Sequence, residues 1–373
     1  MYLWEQAQWP DFSWDGERLS KHLALAHREK GRLLGRMEAL GFEFREEARL
    51  QVLTQEVVKS SEIEGEILDS DQVRSSIARR LGMDIGGLLP ADRDIEGIVE
   101  MALDAIGDYD EPLTEDRLCG WHAALFPAGR SGLRKITAGA WRDDRKGPMQ
   151  VVSGPVGREK IHYQALPADR LPDEMAKFLA WFGQTTDMDL LIKAGLAHLW
   201  FVTIHPFEDG NGRIARAVAD MVLSQSDGSP WRFYSMSAQI RAERKQYYAM
   251  LEHTQKSSLD VTPWLEWFFG CLVRAVESSR ETVGAVLQKA RFWERFSQEP
   301  LNERQIKILN RVLDGLEGKL TSSKWAKLAK CSQDTAYRDI LDLIGRGALE
   351  KNPGGGRSTS YSIAGIGESA SQP

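Results

Sequence analysis

Cysteine is nearly absent from this chain: Cys119, Cys271 and Cys331 are the three in 373 residues, far apart and odd in number. That excludes a disulfide framework and leads to the expectation of reduced thiols in a cytoplasmic protein. No group of histidines and cysteines has metal-ligand spacing, which excludes a structural zinc site. Long apolar runs are also missing. Nowhere do about 18 apolar residues follow one another, so no spanning helix and no membrane partner is expected. The opening MYLWEQAQWP has neither the basic stretch nor the apolar run of a secretion signal. An excess of positive charge is lacking too: the net charge of −6 argues against a general polyanion binder. What remains is 42% hydrophobic and 27% charged residues, an ordinary globular composition in a chain long enough for two or three domains.

The most informative stretch is residues 205–216, HPFEDGNGRIAR. Before it, residues 187–204 place Leu190, Leu191, Ala194, Leu199 and Val202 near helical spacing, with Asp187 and Asp189 as candidate caps. This helix is apolar on nearly every side, which predicts a central position. Pro206 ends it, and a second helix resumes through Ile214, Val218, Met221 and Val222. A Gly-Asn-Gly turn between two helices aims backbone N–H groups into one concavity, and the following helix N-terminus adds partial positive charge. Phosphate is the natural ligand, held by Gly210, Asn211, Gly212, Arg213 and Arg216. The two arginines lie three apart and share a face. Asp209 is a hard oxygen donor suited to a Mg²⁺ ion that substrate phosphates already bind. His205 at the loop entrance is placed to accept a proton from an attacking hydroxyl, and Phe207 is the loop's expected anchor in the core.

These residues resemble the Fic-domain signature HPFx[DE]GNGRxxR, matching it at every specified position. The resemblance implies a compact, mainly α protein: a Fic-type helical bundle with a small β-hairpin flap. It also implies transfer of AMP from Mg-ATP to a Ser, Thr or Tyr hydroxyl of a target protein or of the chain itself. Ser60-Ser61-Glu62-Ile63-Glu64-Gly65 is similar to the [S/T]xxxE[G/N] inhibitory motif of Fic proteins that carry it before the catalytic loop. By that resemblance Glu64 pairs with Arg216, Ser60 positions it, and Gly65 completes the motif. A Tyr-Tyr pair, Tyr247 and Tyr248, matches the family's base pocket, but Gln255 stands where the family has asparagine. Residues 147–166 resemble the target-docking flap, with Met149, Gln150, Val151 and Val152 as its docking edge. Short extended runs at 149–152 and 160–163 flank a Gly-Pro-Val-Gly turn.

The expected division is an N-terminal helical extension over 1–85 with the inhibitory motif at 60–65, a catalytic domain over 86–270 and a helical connector over 271–300. A winged helix-turn-helix follows over 301–366, then a disordered tail over 367–373. In the extension, Trp4, Trp9, Phe12 and Trp14 around Pro10 are read as a clamp onto the next domain. Residues 43–68 are expected to form a helix, a turn and the start of a second helix. Residues 130–145 read as a loop by composition. Residues 301–366 carry 11 Lys or Arg against 7 Asp or Glu, a balance suited to DNA phosphates. Asp334, Asp339 and Asp342 on the third helix oppose that, which leaves either a DNA or a protein partner. A homodimer stays open. Two alternatives to AMP transfer also stand: a nucleotide-sensing transcription regulator, and removal of AMP by water directed from Glu64.

Overall fold

The computed structural model describes residues 1–365 except 84–87, 146, 155–157, 159, 186, 297–298, 314, 317 and 354–358. The described residues are mainly helical. The first helices are α1 (Gly16–Glu38), α2 (Phe42–Glu64), α3 (Ser70–Arg80), α4 (Arg93–Gly107) and α5 (Glu115–Leu125). Next come α6 (Leu171–Gly183), α7 (Leu190–Ile204), α8 (Asn211–Asp227), α9 (Met236–Ala242), α10 (Arg244–Gln255) and α11 (Thr262–Arg295). The last are α12 (Glu303–Leu313), α13 (Ser322–Ala329) and α14 (Gln333–Gly345). Each sheet is an antiparallel pair: β1 (Arg130–Ser131) with β2 (Arg134–Lys135), β3 (Gln150–Ser153) with β4 (Lys160–Gln164), and β5 (Leu349–Lys351) with β6 (Tyr361–Ile363). The chain forms two compact units, Met1–Glu38 with Glu46–Arg280, and Ala39–Arg45 with Glu281–Pro373.

In the first unit α7 is buried from Leu191 to Ile204 and packs along α8, which also packs on α4. Asp189 caps α7 by accepting the Leu191 N–H at 2.8 Å. The N-terminal tryptophans fasten the first residues to this core. Trp4 Nε1 donates to the Gln164 carbonyl at 2.9 Å, Trp9 Nε1 donates to Glu174 at 2.7 Å, and Phe12 packs edge-on against Trp200. Residues before α1 thus hold both the end of β4 and the α6–α7 pair.

Several boundaries differ from expectation. The helix and turn expected within 43–68 are present, α2 running to Glu64 because nothing in SSEIE breaks it and Gly65 turning the chain at φ 91°, but the second helix, α3, starts only at Ser70. α11 runs through position 270, and residues up to Arg280 stay with the first unit. β1 and β2 form a hairpin inside the stretch read as loop; strands of two residues leave no periodicity to detect. β3 and β4 pair Val151 with Tyr163 and Ser153 with Lys160, with a register shift between Val151 and Val152. Most of the expected Gly-Pro-Val-Gly turn and the tail over 367–373 lie outside the described residues.

The second unit packs α12, α13, α14 and the β5–β6 hairpin around Trp325, Ile308, Ile340, Leu343 and Leu349. Leu320 bridges to Tyr361. Ser332 caps α14 by accepting the Thr335 N–H at 3.2 Å. Asp339 is buried on Arg304 and Asp342 bonds Arg346 and Gln305, so both acids are engaged within the unit. Among the described residues no helix is long and apolar enough to cross a membrane, and all three cysteines are free.

Candidate active site

The loop of residues 205–216 starts with a strained residue. His205 ends α7 at φ 56°, ψ 57°, a left-handed conformation that costs a non-glycine residue on the order of 1–3 kcal/mol and persists only where surroundings over-determine it. Here they do. Arg142 Nε donates to the His205 carbonyl at 2.8 Å, and the Arg142 backbone N–H donates to the Pro206 carbonyl at 2.9 Å. Its two terminal nitrogens bond the Leu166 carbonyl at 2.6 Å and Asp144 at 2.8 Å. Phe207 is fully buried, stacked on His122 with ring centroids 4.1 Å apart. The Asn211 side chain closes the loop on Phe207, accepting its N–H at 2.9 Å and donating to its carbonyl at 2.8 Å. The Asn211 amide is therefore occupied by loop closure, and any contact it makes to phosphate falls to its backbone N–H in the first turn of α8.

His205 Nδ1 lies 3.2 Å from the Val202 carbonyl, which can only accept; Nδ1 is thus the protonated nitrogen and Nε2 keeps its lone pair. Burial lowers the His205 pKa to about 4, against the opposing pull of the Val202 carbonyl, Asp209 and Glu64. The ring is neutral at pH 7 and can accept a proton. Asp209 accepts the Gly210 N–H at 2.6 Å and a hydrogen bond from Ser131 on β1. The β1–β2 region also holds Glu208, through Arg134 at 3.1 Å.

Arg213 and Arg216 both point to the end of α2. Arg216, buried, has Nη2 2.9 Å from Glu64 Oε1 and 2.9 Å from the Ser60 carbonyl, while its Nε donates to Ser60 Oγ at 3.0 Å. Burial disfavours its charge, but Glu64 with Tyr247 and Tyr248 outweighs that, so its pKa is raised. The Glu64 carboxylate lies over Gly212, where a Cβ would overlap Oε1. A carboxylate of the chain itself thus sits at the N-terminus of α8, where the loop's geometry favours an anion. Tyr248 donates toward the Ile63 carbonyl and Glu64, each at 3.3 Å, and Arg244 Nε donates to the Ile63 carbonyl at 2.6 Å. Arg213 Nη1 is 2.6 Å from Glu66, beyond the motif.

Of the expected base-pocket residues, Tyr248 is partly open beside Glu64, whereas Tyr247 and Gln255 are buried. Tyr247 shares a 2.8 Å hydrogen bond with His198, and Gln255 Nε2 is 3.4 Å from Thr203 Oγ1. The Tyr247 hydroxyl thus lies between His198 and the loop arginine Arg216, and the Gln255 amide against α7. Met149 accepts the Ala165 N–H at 2.9 Å, so the flap's pairing starts one residue before β3. Besides Trp4 on Gln164, β4 ties the flap down through two side chains. Tyr163 donates to the Thr203 carbonyl at 2.6 Å, and His162 bridges Ser153 at 2.6 Å to Glu252 of α10 at 2.7 Å. β3 pairs only with β4 among the described residues, leaving its other edge unpaired beside Val152, which is exposed. Among the described residues no group of three or more His, Cys, Asp or Glu has metal-binding proximity.

Arg142, Ser131, Arg244 and Glu66 have no role in the sequence reading. Glu66 alone carried a hint, as a second glutamate two positions after Glu64; the others pair across 63 to 181 residues with no spacing rule to expose them.

The Fic/DOC family profile matches residues 112–223. This region is a Fic/DOC family domain. A second profile, described as a domain of unknown function (DUF4172), matches residues 2–83. The protein adenylyltransferase fic-1 of Caenorhabditis briggsae is 35% identical over 81 residues, 21% of this chain and 15% of that protein. The uridine 5'-monophosphate transferase of Xanthomonas campestris pv. campestris (strain 8004) is 30% identical over 138 residues, 32% of this chain and 22% of that protein. The matches thus span at most about a fifth of these curated relatives. A Fic family protein from Desulfovibrio desulfuricans G20 shares the fold with TM-score 0.56 at 22% identity, over 94% of this chain and 97% of that one. A Fic domain containing signaling protein from Bacteroides thetaiotaomicron VPI-5482 does so with TM-score 0.50 at 19% identity, over 70% and 97%. The Fic domain contains α5, the flap, α6, α7, the loop and most of α8; Ser60, Glu64 and Glu66 reach it from outside.

Proposed function

We propose that the Fic domain transfers a nucleoside monophosphate, AMP from Mg-ATP in the first instance, to a protein hydroxyl, and that Glu64 holds it in a resting state. In the step itself the hydroxyl oxygen attacks the α-phosphorus and its proton passes to His205 Nε2. The bond from the α-phosphorus to its bridging oxygen breaks, and pyrophosphate leaves. The observation that carries this reading is the pairing of a neutral His205, Nε2 lone pair retained, with a loop whose arginines and helix N-terminus already hold a carboxylate. Bound phosphates would raise the His205 pKa from about 4 toward a more effective base. Asp209 fits a Mg²⁺ site of one carboxylate completed by phosphates and waters; the ion would supply charge neutralisation of the polyphosphate. The unpaired edge of β3 is suited to a target strand, whose hydroxyl would then be presented to His205.

The relatives include a protein named for adenylyl transfer and one named for UMP transfer. Tyr247 and Gln255 are buried and Tyr248 is partly open, so the choice of base is read from the nucleotide that labels. Incubation of Glu64→Gly protein with α-labelled ATP, UTP, CTP or GTP, followed by mass spectrometry of modified peptides, tests the reaction and the base together. Absence of label with every nucleotide would overturn the reading. We further read α12, α13, α14 and the β5–β6 hairpin as a winged helix. With Asp339 and Asp342 engaged inside the unit, the outer face of α14 offers Gln333, Asp334, Tyr337, Arg338 and Leu341. Its two exposed apolar residues, Tyr337 and Leu341, favour a protein partner over DNA.

A further inference from the structure

α2 ends in a turn that aims two carboxylates in one direction. The Gly65 N–H donates to the Glu62 carbonyl at 3.2 Å and the Glu66 N–H to the Ser61 carbonyl at 3.0 Å, a Schellman pair made by the left-handed Gly65. This turn fixes Glu64 and Glu66 on either side of one glycine. Glu64 reaches Arg216 at 2.9 Å, and Glu66 reaches Arg213 at 2.6 Å. The arginine side of each pair is buried; Glu64 is 29% exposed and Glu66 47%. Arg213 also lies over the Phe126 ring at 5.1 Å, which confines its guanidinium. Burial raises the Glu66 pKa, and Arg213 opposes it while Asp209, Glu64 and Asp94 add to it. The Glu66 carboxylate is therefore held near three other acids by Arg213.

We propose that Glu66 is a second inhibitory carboxylate, engaging Arg213 as Glu64 engages Arg216, so that the resting loop is closed to a polyphosphate at both arginines. A chain of three linked phosphates that bridges the two guanidinium groups must displace both glutamates, and because Glu66 is the more exposed of the two it is the first to be exchanged. The proposal rests on the reading of the loop as a polyphosphate site, and deepens it: release of the site takes two ion pairs, borne on one turn of α2.

The test is calorimetric titration of the full chain with inorganic tripolyphosphate in the presence of Mg²⁺, alongside label transfer from α-labelled ATP. The variants are wild type, Glu66→Gln, Glu66→Asp, Glu64→Gly and Glu64→Gly/Glu66→Gln. Glu66→Gln is expected to tighten tripolyphosphate binding about three- to tenfold and to tighten it again in the Glu64→Gly background, while Glu66→Asp, which keeps the charge, stays near wild type. Unfolding midpoints check that each variant is folded. Unchanged or weaker binding by Glu66→Gln in both backgrounds would overturn the proposal, since Glu66 would then be indifferent to the anion or would be holding Arg213 in its binding pose. Tighter binding without label transfer in any variant would leave the second carboxylate standing and refute nucleotidyl transfer. Label transfer by Glu64→Gly with no effect of Glu66 on binding would do the reverse.

Discussion

Replacing Glu64 by glycine is the perturbation from which most follows. Two unit charges at about 3–4 Å in an effective dielectric near 20 attract by roughly 4–6 kcal/mol. Desolvation of the pair takes back a large part of this, and Ser60 retains Arg216 through two contacts that do not need Glu64. A net preference of about 1.5–3 kcal/mol for the closed loop remains, which corresponds to roughly a tenfold to hundredfold deficit of the open form. Glu64→Gly should therefore raise the initial rate of label transfer from α-labelled ATP by about ten- to a hundredfold. Arg216→Ala should be inactive, because it removes the phosphate contact together with the partner of Glu64, and the double variant should be as inactive as Arg216→Ala. A Glu64→Gly protein no faster than wild type, or an active double variant, would refute the reasoning and make removal of AMP through Glu64 the next reading to test.

Three further outcomes are expected. His205→Ala should lower transfer by roughly a hundredfold to ten-thousandfold with ATP affinity unchanged in a binding titration, since the phosphates are read by other groups; retention of turnover within about threefold would exclude His205 as the base. Arg142→Ala strips hydrogen-bond donors from the His205 and Leu166 carbonyls and leaves Asp144 without its cation, so it should cost roughly 3–5 kcal/mol in urea unfolding; a loss under about 1 kcal/mol would show that the loop holds its strained start without it. His198 is buried with its pKa lowered to about 3 by burial and Arg216, below the ordinary 6.5. The unfolded chain binds a proton there between those values and the folded chain does not, so stability falls as pH drops from about 6.5 toward 3; His198→Gln should make the slope of unfolding free energy against pH shallower by about 1.2 kcal/mol per pH unit, averaged between pH 4.5 and 6.5.

How much of this was legible in the sequence depended on whether a residue's partner was encoded nearby. Residues 205–216 were readable because loop closure is local: Asn211 bonds Phe207 four positions away, and the N-terminus of α8 follows directly. The flap was readable because β3 and β4 are short extended runs either side of a turn, although the shift at Val151 and Val152 moved its register. The helix, turn and second helix start over 43–68 were readable because Gly65 is a local stop signal, although the second helix begins two residues beyond that stretch, at Ser70 behind its cap Asp69. Arg142 and Ser131 were invisible: each is a polar residue with no local partner pattern, one in a loop and one on the two-residue β1, and only the folded chain brings it to His205 or Asp209. Tyr247 and Gln255 illustrate the converse, since matching a pattern fixed their place on α10 but not their hydrogen bonds to His198 and Thr203.

The Glu64 carboxylate over Gly212 bears on how such a protein can change over generations. Gly212 leaves no room for a side chain while Glu64 is in place, and Arg213 and Arg216 are engaged by the same turn of α2. Under the proposed function these three loop residues also grip the polyphosphate, so a substitution there that expels the glutamates disables the loop as well. Heritable variation in basal activity is thereby channelled into residues 60–66, outside the Fic domain. Selection can alter how readily the reaction starts without touching the residues that carry it out.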